Sequence, residues 1–157
     1  MYKRQGYLTR EWFREFLIAP DSERFYGGVP AEGDNEWDMP GIHSEDIDIQ
    51  SKEDLNAIVE WMVAQSGRPH SPPVDQELAA RGLELIEDEA CSSCHSTEGE
   101  EMDGPALDGY GSESWLAKVI RTPHAPEMFG ERNTMPGFEE LSDHQVNALI
   151  RYLVNLK

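Results

Sequence analysis

Cys91-Ser92-Ser93-Cys94-His95 is a C-x-x-C-H motif, and each of its residues has a physical reason to be there. Two thiols three positions apart on a helical turn can both add to the vinyl groups along one edge of a porphyrin. The residue that follows then projects toward the metal. Its imidazole can ligate iron through Nε2 while Nδ1–H donates a hydrogen bond elsewhere, which fixes the ring and tunes its basicity. The motif therefore assigns one covalently attached haem c to Cys91, Cys94 and His95. Three rival readings are weaker. A redox dithiol would want a surrounding βαβ pattern, which is missing. Zinc would want further Cys or paired His ligands, and the chain has two cysteines in all. A disulfide between the two would close a very small, strained loop.

The flanks of the motif read as helices and loops, and the expected class is all-α. Asp75 can cap a helix that carries Leu78, Gly82, Leu85 and Ile86 on one face and runs to about Cys91. A second helix starts near Ser112, holds Trp115, Leu116, Val119 and Ile120, and stops before Pro123. Ser142 and Gln145 form a capping box for the last helix, in which Val146, Leu149, Ile150 and Leu153 share a face. Gly82 is expected to let the first of these helices cross the last one closely, near Leu149, Tyr152 and Leu153.

Upstream of the Pro-rich break Gly67-Arg68-Pro69-His70-Ser71-Pro72-Pro73, the same phrases occur a second time. Gly6-Tyr7, Trp12-Phe13, Pro20 and Phe25-Tyr26-Gly27 parallel Gly109-Tyr110, Trp115-Leu116, Pro123 and Met128-Phe129-Gly130 at one fixed spacing. Met39-Pro40-Gly41 parallels Met135-Pro136-Gly137, and Leu55-Asn56-Ala57-Ile58-Val59 with Trp61 parallels Val146-Asn147-Ala148-Leu149-Ile150 with Tyr152. The order is preserved, and helix periodicity alone would not align loop prolines. The expected organisation is a truncated unit at 1–66, a linker at 67–74 and a full unit at 75–157. The first unit lacks cysteine, so it cannot hold haem by thioethers, and Met39 is read as a leftover or core residue. A non-covalent haem on Met39 or His43 is the alternative, with half its pocket missing.

Composition narrows the function. A formal charge of −18 excludes a nucleic-acid partner, because binding phosphate backbones needs a basic face. Such acidity either keeps an exported protein soluble or steers a basic partner. No apolar run is long enough to cross a bilayer.

Residues 75–157 resemble a class I cytochrome c, and the likeness extends beyond the C-x-x-C-H motif. Gly104-Pro105-Ala106-Leu107-Asp108-Gly109 resembles the loop whose proline carbonyl accepts the histidine Nδ1–H bond in that family, which points to Pro105. Asn133-Thr134-Met135-Pro136-Gly137 resembles the methionine loop, which points to Met135 as the second axial ligand; Met102, Met128 and His124 are rivals. The resemblance also implies haem contacts for Tyr110, Trp115 and Arg121, and a hydrogen bond from Asn133 near the Met135 sulfur. More narrowly, Ser114-Trp115-Leu116-Ala117-Lys118-Val119-Ile120 and Glu127-Met128-Phe129-Gly130 are similar to cytochrome c modules of bc-type complexes or terminal oxidases.

What the resemblance implies is outer-sphere electron transfer by an iron with His95 and Met135 on its two faces. The chain would be an electron carrier or an electron-transfer subunit rather than an enzyme in its own right. Its partners would be redox proteins, basic or belonging to a membrane-bound complex of a respiratory chain. A haem sensor or peroxidase-like enzyme with an open sixth position is the alternative. The location implied is periplasmic or otherwise extracytoplasmic. Since Met1-Tyr2-Lys3-Arg4-Gln5 leads into no apolar signal region, the sequence is expected to be a mature product or the soluble part of a longer, membrane-attached one. A further option is that the first unit serves as a docking module for a complex, in which case deleting residues 1–66 would abolish partner binding and leave the haem spectrum unchanged.

Overall fold

A computed structural model describes residues 6–25, 39–45, 47, 49, 51–88, 90–130 and 135–155. The protein is all-α: the described residues form five helices and one short 3-10 turn, with no strand among them. In chain order the helices are α1 (Arg10–Ile18), α2 (Lys52–Gln65), α3 (Gln76–Asp88), α4 (Glu113–Arg121) and α5 (Asp143–Val154), and the 3-10 turn Ala90–Ser93 lies between α3 and α4.

The local geometry of the first half recurs in the second. Gly6 and Leu8 take positive φ of 69° and 66°, and Gly109 and Gly111 do the same at 61° and 76°. The residue after each turn caps a helix: Thr9 Oγ1 accepts the Trp12 N–H, and Ser112 Oγ accepts the Trp115 N–H. Both helices then end at a cap whose N–H bonds back to a carbonyl of the last turn, Ala19 to Glu15 and Thr122 to Lys118. A Cβ on Gly41 would lie 2.6 Å from the Ile18 carbonyl oxygen, and one on Gly137 would lie 2.6 Å from that of Arg121. Each Met-Pro-Gly loop is thus pinned on the end of the preceding helix, with Ile42 N–H donating to Leu17 O and Phe138 N–H to Ile120 O.

The two halves meet through equivalent residues. A Cβ on Gly111 would touch the Leu8 side chain at 2.5 Å, and Leu8 is its own counterpart in the first half. The Phe13 ring lies 6.0 Å from Tyr110. Reciprocally, Tyr7 packs on the cluster that holds Leu116. Contacts of a residue with its own equivalent, flanked by exchanged pairs, are the signature of a local twofold relation.

The larger core gathers Leu8, Trp12, Phe13, Ile42 and the buried residues of α2, and it also takes in Ala79 and Ile86 of α3. The smaller core joins Trp115, Leu116 and Ile120 of α4 to Met128, Val146 and Ile150. Met128 is therefore a core residue here.

The buried stripe of α3 is Ala79, Gly82 and Ile86, and it lies on α2 rather than on α5. A Cβ on Gly82 would overlap the Ala57 carbonyl of α2, so the two helix backbones touch at that crossing. This corrects the expectation that Gly82 meets the last helix near Leu149, Tyr152 and Leu153. The physical reason is that α2 and α5 carry matching apolar faces, and the periodicity of α3 is compatible with either one.

The Pro-rich segment is tied down rather than loose. Arg10 Nε and Nη2 donate two hydrogen bonds to the two Glu60 carboxylate oxygens at 2.7 and 2.6 Å. The same guanidinium donates to the carbonyls of Pro72 and Pro73, and Glu60 Oε1 accepts the Asp75 N–H at 2.8 Å. Glu60 is buried, and the Arg10 hydrogen bonds hold its carboxyl below the ordinary carboxylate range.

Candidate haem site

α3 ends at Asp88, and the chain tightens into the 3-10 turn that carries Cys91. Cys94 N–H and His95 N–H both donate to the Cys91 carbonyl at 3.2 and 2.9 Å, so the two cysteines and the histidine are held on one turn. Neither cysteine is in a disulfide; Cys91 is half-buried against the larger core and Cys94 is exposed. Among the described residues no group of three His, Cys, Asp or Glu is arranged to hold a metal ion.

His95 Nδ1 lies 2.8 Å from the Pro105 carbonyl oxygen. Burial pushes the imidazole pKa down, the bond to Pro105 opposes this in part, and the net direction is downward. The ring is thus kept neutral, with Nδ1–H as donor and Nε2 left as the electron-pair donor. Nε2 has no hydrogen-bond partner among the described residues.

The Pro105 carbonyl is placed by its neighbours. Gly104 N–H donates to Cys94 O at 2.8 Å, Ala106 N–H donates to Glu127 O at 3.0 Å, and Leu107 N–H donates to Ser96 O at 2.8 Å. Buried Ser96 adds two more bonds, its Oγ accepting the Glu98 and Glu100 N–H groups. Gly104 is needed for a further reason: a Cβ there would lie 2.5 Å from His95 Cε1 and 2.7 Å from Nδ1. Neither Ser96 nor the steric role of Gly104 is signalled by the motif. Only the closeness of Gly104 to Pro105 in sequence could have drawn notice.

Other expected site residues are placed as follows. The Tyr110 and Trp115 rings pack at a tilt, with centroids 4.3 Å apart, and Trp115 Nε1–H donates to Ala106 O at 3.4 Å, next to Pro105. Arg121 reaches the other way, to the Leu141 carbonyl and Asp143 at the start of α5. Met135 is half-buried on the loop that Gly137 and Phe138 fasten to the end of α4. Asn133 lies outside the described residues. A solvent-open groove lined by Arg121, His124, Gly137 and Glu139 lies beside that loop and takes in none of Cys91, Cys94 and His95.

Two cysteines outside any disulfide on one turn and a half-buried, neutral imidazole held at Nδ1 with Nε2 unused fit a covalently attached haem. The family model for cytochrome c matches residues 79–157, half of the chain, and the protein belongs to the cytochrome c family. Among curated proteins it is 27% identical over 115 residues to cytochrome c oxidase subunit 2 of Alkalihalophilus pseudofirmus, covering 68% of this chain and 32% of that protein. It is also 27% identical over 113 residues to the cbb3-type cytochrome c oxidase subunit CcoP of Helicobacter pylori, covering 68% of this chain and 37% of that one. The chain thus spans about a third of the length of these relatives. The shared stretch exceeds the part matched by the family model, so it reaches upstream of residue 79. No solved structure matches at a significant level. Motif, family and relatives together support haem-based electron transfer.

Proposed function

We propose that this chain is an electron carrier, or the electron-carrying part of a larger oxidoreductase, working in or beside a respiratory chain outside the cytoplasmic membrane. One haem c is tethered by Cys91 and Cys94 and ligated by His95 and Met135. When bound, the haem supplies an iron that accepts and releases one electron. The residues of the chain do the rest. Cys91 and Cys94 anchor the ring, Pro105 holds His95 in the tautomer that presents Nε2, and Gly104 leaves the imidazole room to sit flat. Met135 supplies a soft thioether that favours the reduced state.

The observation that carries this reading is the 2.8 Å contact between His95 Nδ1 and the Pro105 carbonyl, beside a turn whose two cysteines are not in a disulfide. The halves are proposed to be copies of one unit, the first having lost its haem-attachment segment. The similarity of this chain to an oxidase subunit 2 and to CcoP supports placing it among the redox subunits of such complexes, which would be its partners. No described helix is long and apolar enough to cross a membrane.

Intact mass and a pyridine haemochrome spectrum, taken on protein made in a host that installs c-type haem, test the cofactor. One haem per chain is expected, and colourless or zinc-loaded protein would refute it. Met135→Ala should abolish the thioether charge-transfer band of the oxidised protein. A high-spin native spectrum with fast CO or cyanide binding would favour a sensor or peroxidase-like role instead.

A further inference from the structure

Behind His95, hydrogen bonds run in series through the backbone. The Nδ1–H donates to the Pro105 carbonyl at 2.8 Å. The same peptide group carries the Ala106 N–H, which donates to the Glu127 carbonyl at 3.0 Å. That carbonyl shares its own peptide with the Met128 N–H, which donates to the Ala125 carbonyl at 2.8 Å. In a trans peptide the C=O and N–H point opposite ways, so each carbonyl along the series is turned toward the His95 end and each N–H toward Ala125. The series stops at Ala125 because its peptide continues into Pro126, which has no N–H to donate.

The far end is fixed in place. Met128 is buried in the smaller core, and Lys118 of α4 pairs with the Glu127 carboxylate. Ala125 N–H to Thr122 O at 3.0 Å and Phe129 N–H to Pro123 O at 3.4 Å close the turn. The matching phrase in the first half makes the same turn bond, Phe25 N–H to Ser22 O at 2.9 Å, although that half has no C-x-x-C-H motif. The turn therefore forms from its own local sequence and meets His95 as a preset group.

Hydrogen bonds in series polarise one another, by about 10–30% per bond. A carbonyl whose peptide N–H is already engaged is a better acceptor, so Pro105 draws more strongly on the Nδ1 proton and leaves more electron density at Nε2. An electron-rich imidazole stabilises ferric iron, which opposes the effect of a soft thioether on the other face. We propose that Ala106 and Glu127 are positioning residues for His95, whose backbone groups form a hydrogen-bonded series that strengthens the imidazole as a donor to iron and lowers the reduction potential of the haem. This role rests on the proposed ligation of the iron by His95.

The test measures the reduction potential of the haem-loaded full chain by spectroelectrochemistry. Ala106→Pro deletes the middle donor and leaves the Pro105 carbonyl in an amide. The ferric–ferrous equilibrium should move toward ferrous by at least about twofold, which is about 18 mV upward for one electron. Ala106→Gly keeps the N–H and should keep the native potential. A second measurement needs no variant and decides the matter if Ala106→Pro takes up no haem. Oxidation makes the Nδ1–H a stronger donor and should tighten each bond of the series, so deuterium fractionation at the Ala106 and Met128 amides of the native protein should fall. The Gly104 and Leu107 amides, which donate to Cys94 and Ser96, lie outside the series and should not change. The proposal is overturned if Ala106→Pro keeps the native potential with a native haem spectrum, if Ala106→Gly moves the potential as far, or if oxidation leaves the Ala106 and Met128 fractionation where it was or changes Gly104 and Leu107 equally. A native chain that takes up no haem, or holds it without His95 on the iron, instead refutes the proposed function, and this role falls with it.

Discussion

At the scale of single residues, two side chains are held under constraints that make sharp expectations. Gly104 faces the His95 ring so closely that any Cβ must displace the imidazole. Gly104→Ala should therefore lower haem loading and disturb the proposed ligation of iron by His95. The reduced-minus-oxidised spectrum reads this directly, and an unchanged spectrum at full loading would show that the ring can shift without consequence. Glu60 is buried with its charge matched by Arg10. Replacing it by Ala strands the guanidinium and removes the acceptor of the Asp75 N–H, at a cost of about 3–5 kcal/mol in unfolding free energy, measurable by denaturant titration. The folded carboxyl titrates below its ordinary value of 4.5, so the unfolded chain binds the proton more readily. The pair's contribution is complete above about pH 4.5, and it is lost as the pH falls through the lower, folded value. Glu60→Gln should abolish that part of the acid dependence.

At the scale of elements, the α2–α3 crossing is the contact with least tolerance. Gly82→Ala places a methyl on the Ala57 carbonyl, a backbone atom that cannot rotate away, and should cost roughly 3 kcal/mol. Gly67→Ala is the matched control: φ is +60° there and nothing lies within 4 Å, so only backbone strain of about 1 kcal/mol is expected. If both variants lose the same stability, α3 does not rest on α2 in solution. Helix identity was largely legible in the sequence at this scale. Asp75, Ser112 and Ser142 cap the helices they were expected to cap, because capping depends on atoms within three residues. The choice of partner for α3 was not legible, since an apolar stripe specifies that a face is buried but not against what.

For the whole molecule, the packing of α3 on α2 changes what the first half does. Removing residues 1–66 would bare Ala79, Gly82 and Ile86 and break the core that also touches Cys91. The shortened chain is expected to unfold at lower denaturant and to lose native haem absorption, unlike a module that only docks partners; retention of both would restore the docking-module view. A formal charge of −18 adds a second expectation, that electron transfer with a basic partner slows steeply as salt rises. Stopped-flow rates across an ionic-strength series measure it, and a flat series would leave the acidity a matter of solubility alone.

The proposed haem attachment was legible in residue order alone: two cysteines three apart with a histidine next to them, no cysteine upstream, and a proline and a methionine downstream in phrases like those of the cytochrome c family. Such patterns act over a few bonds, and local sequence is enough to define them. Tertiary structure decided the rest. It brought Pro105 and Gly104 to the His95 ring, joined Arg10 to Glu60 across the first half, and gave α3 to α2 while leaving α5 open. A repeated sequence offers one helix two nearly identical faces, and only the summed packing of the folded chain selects between them.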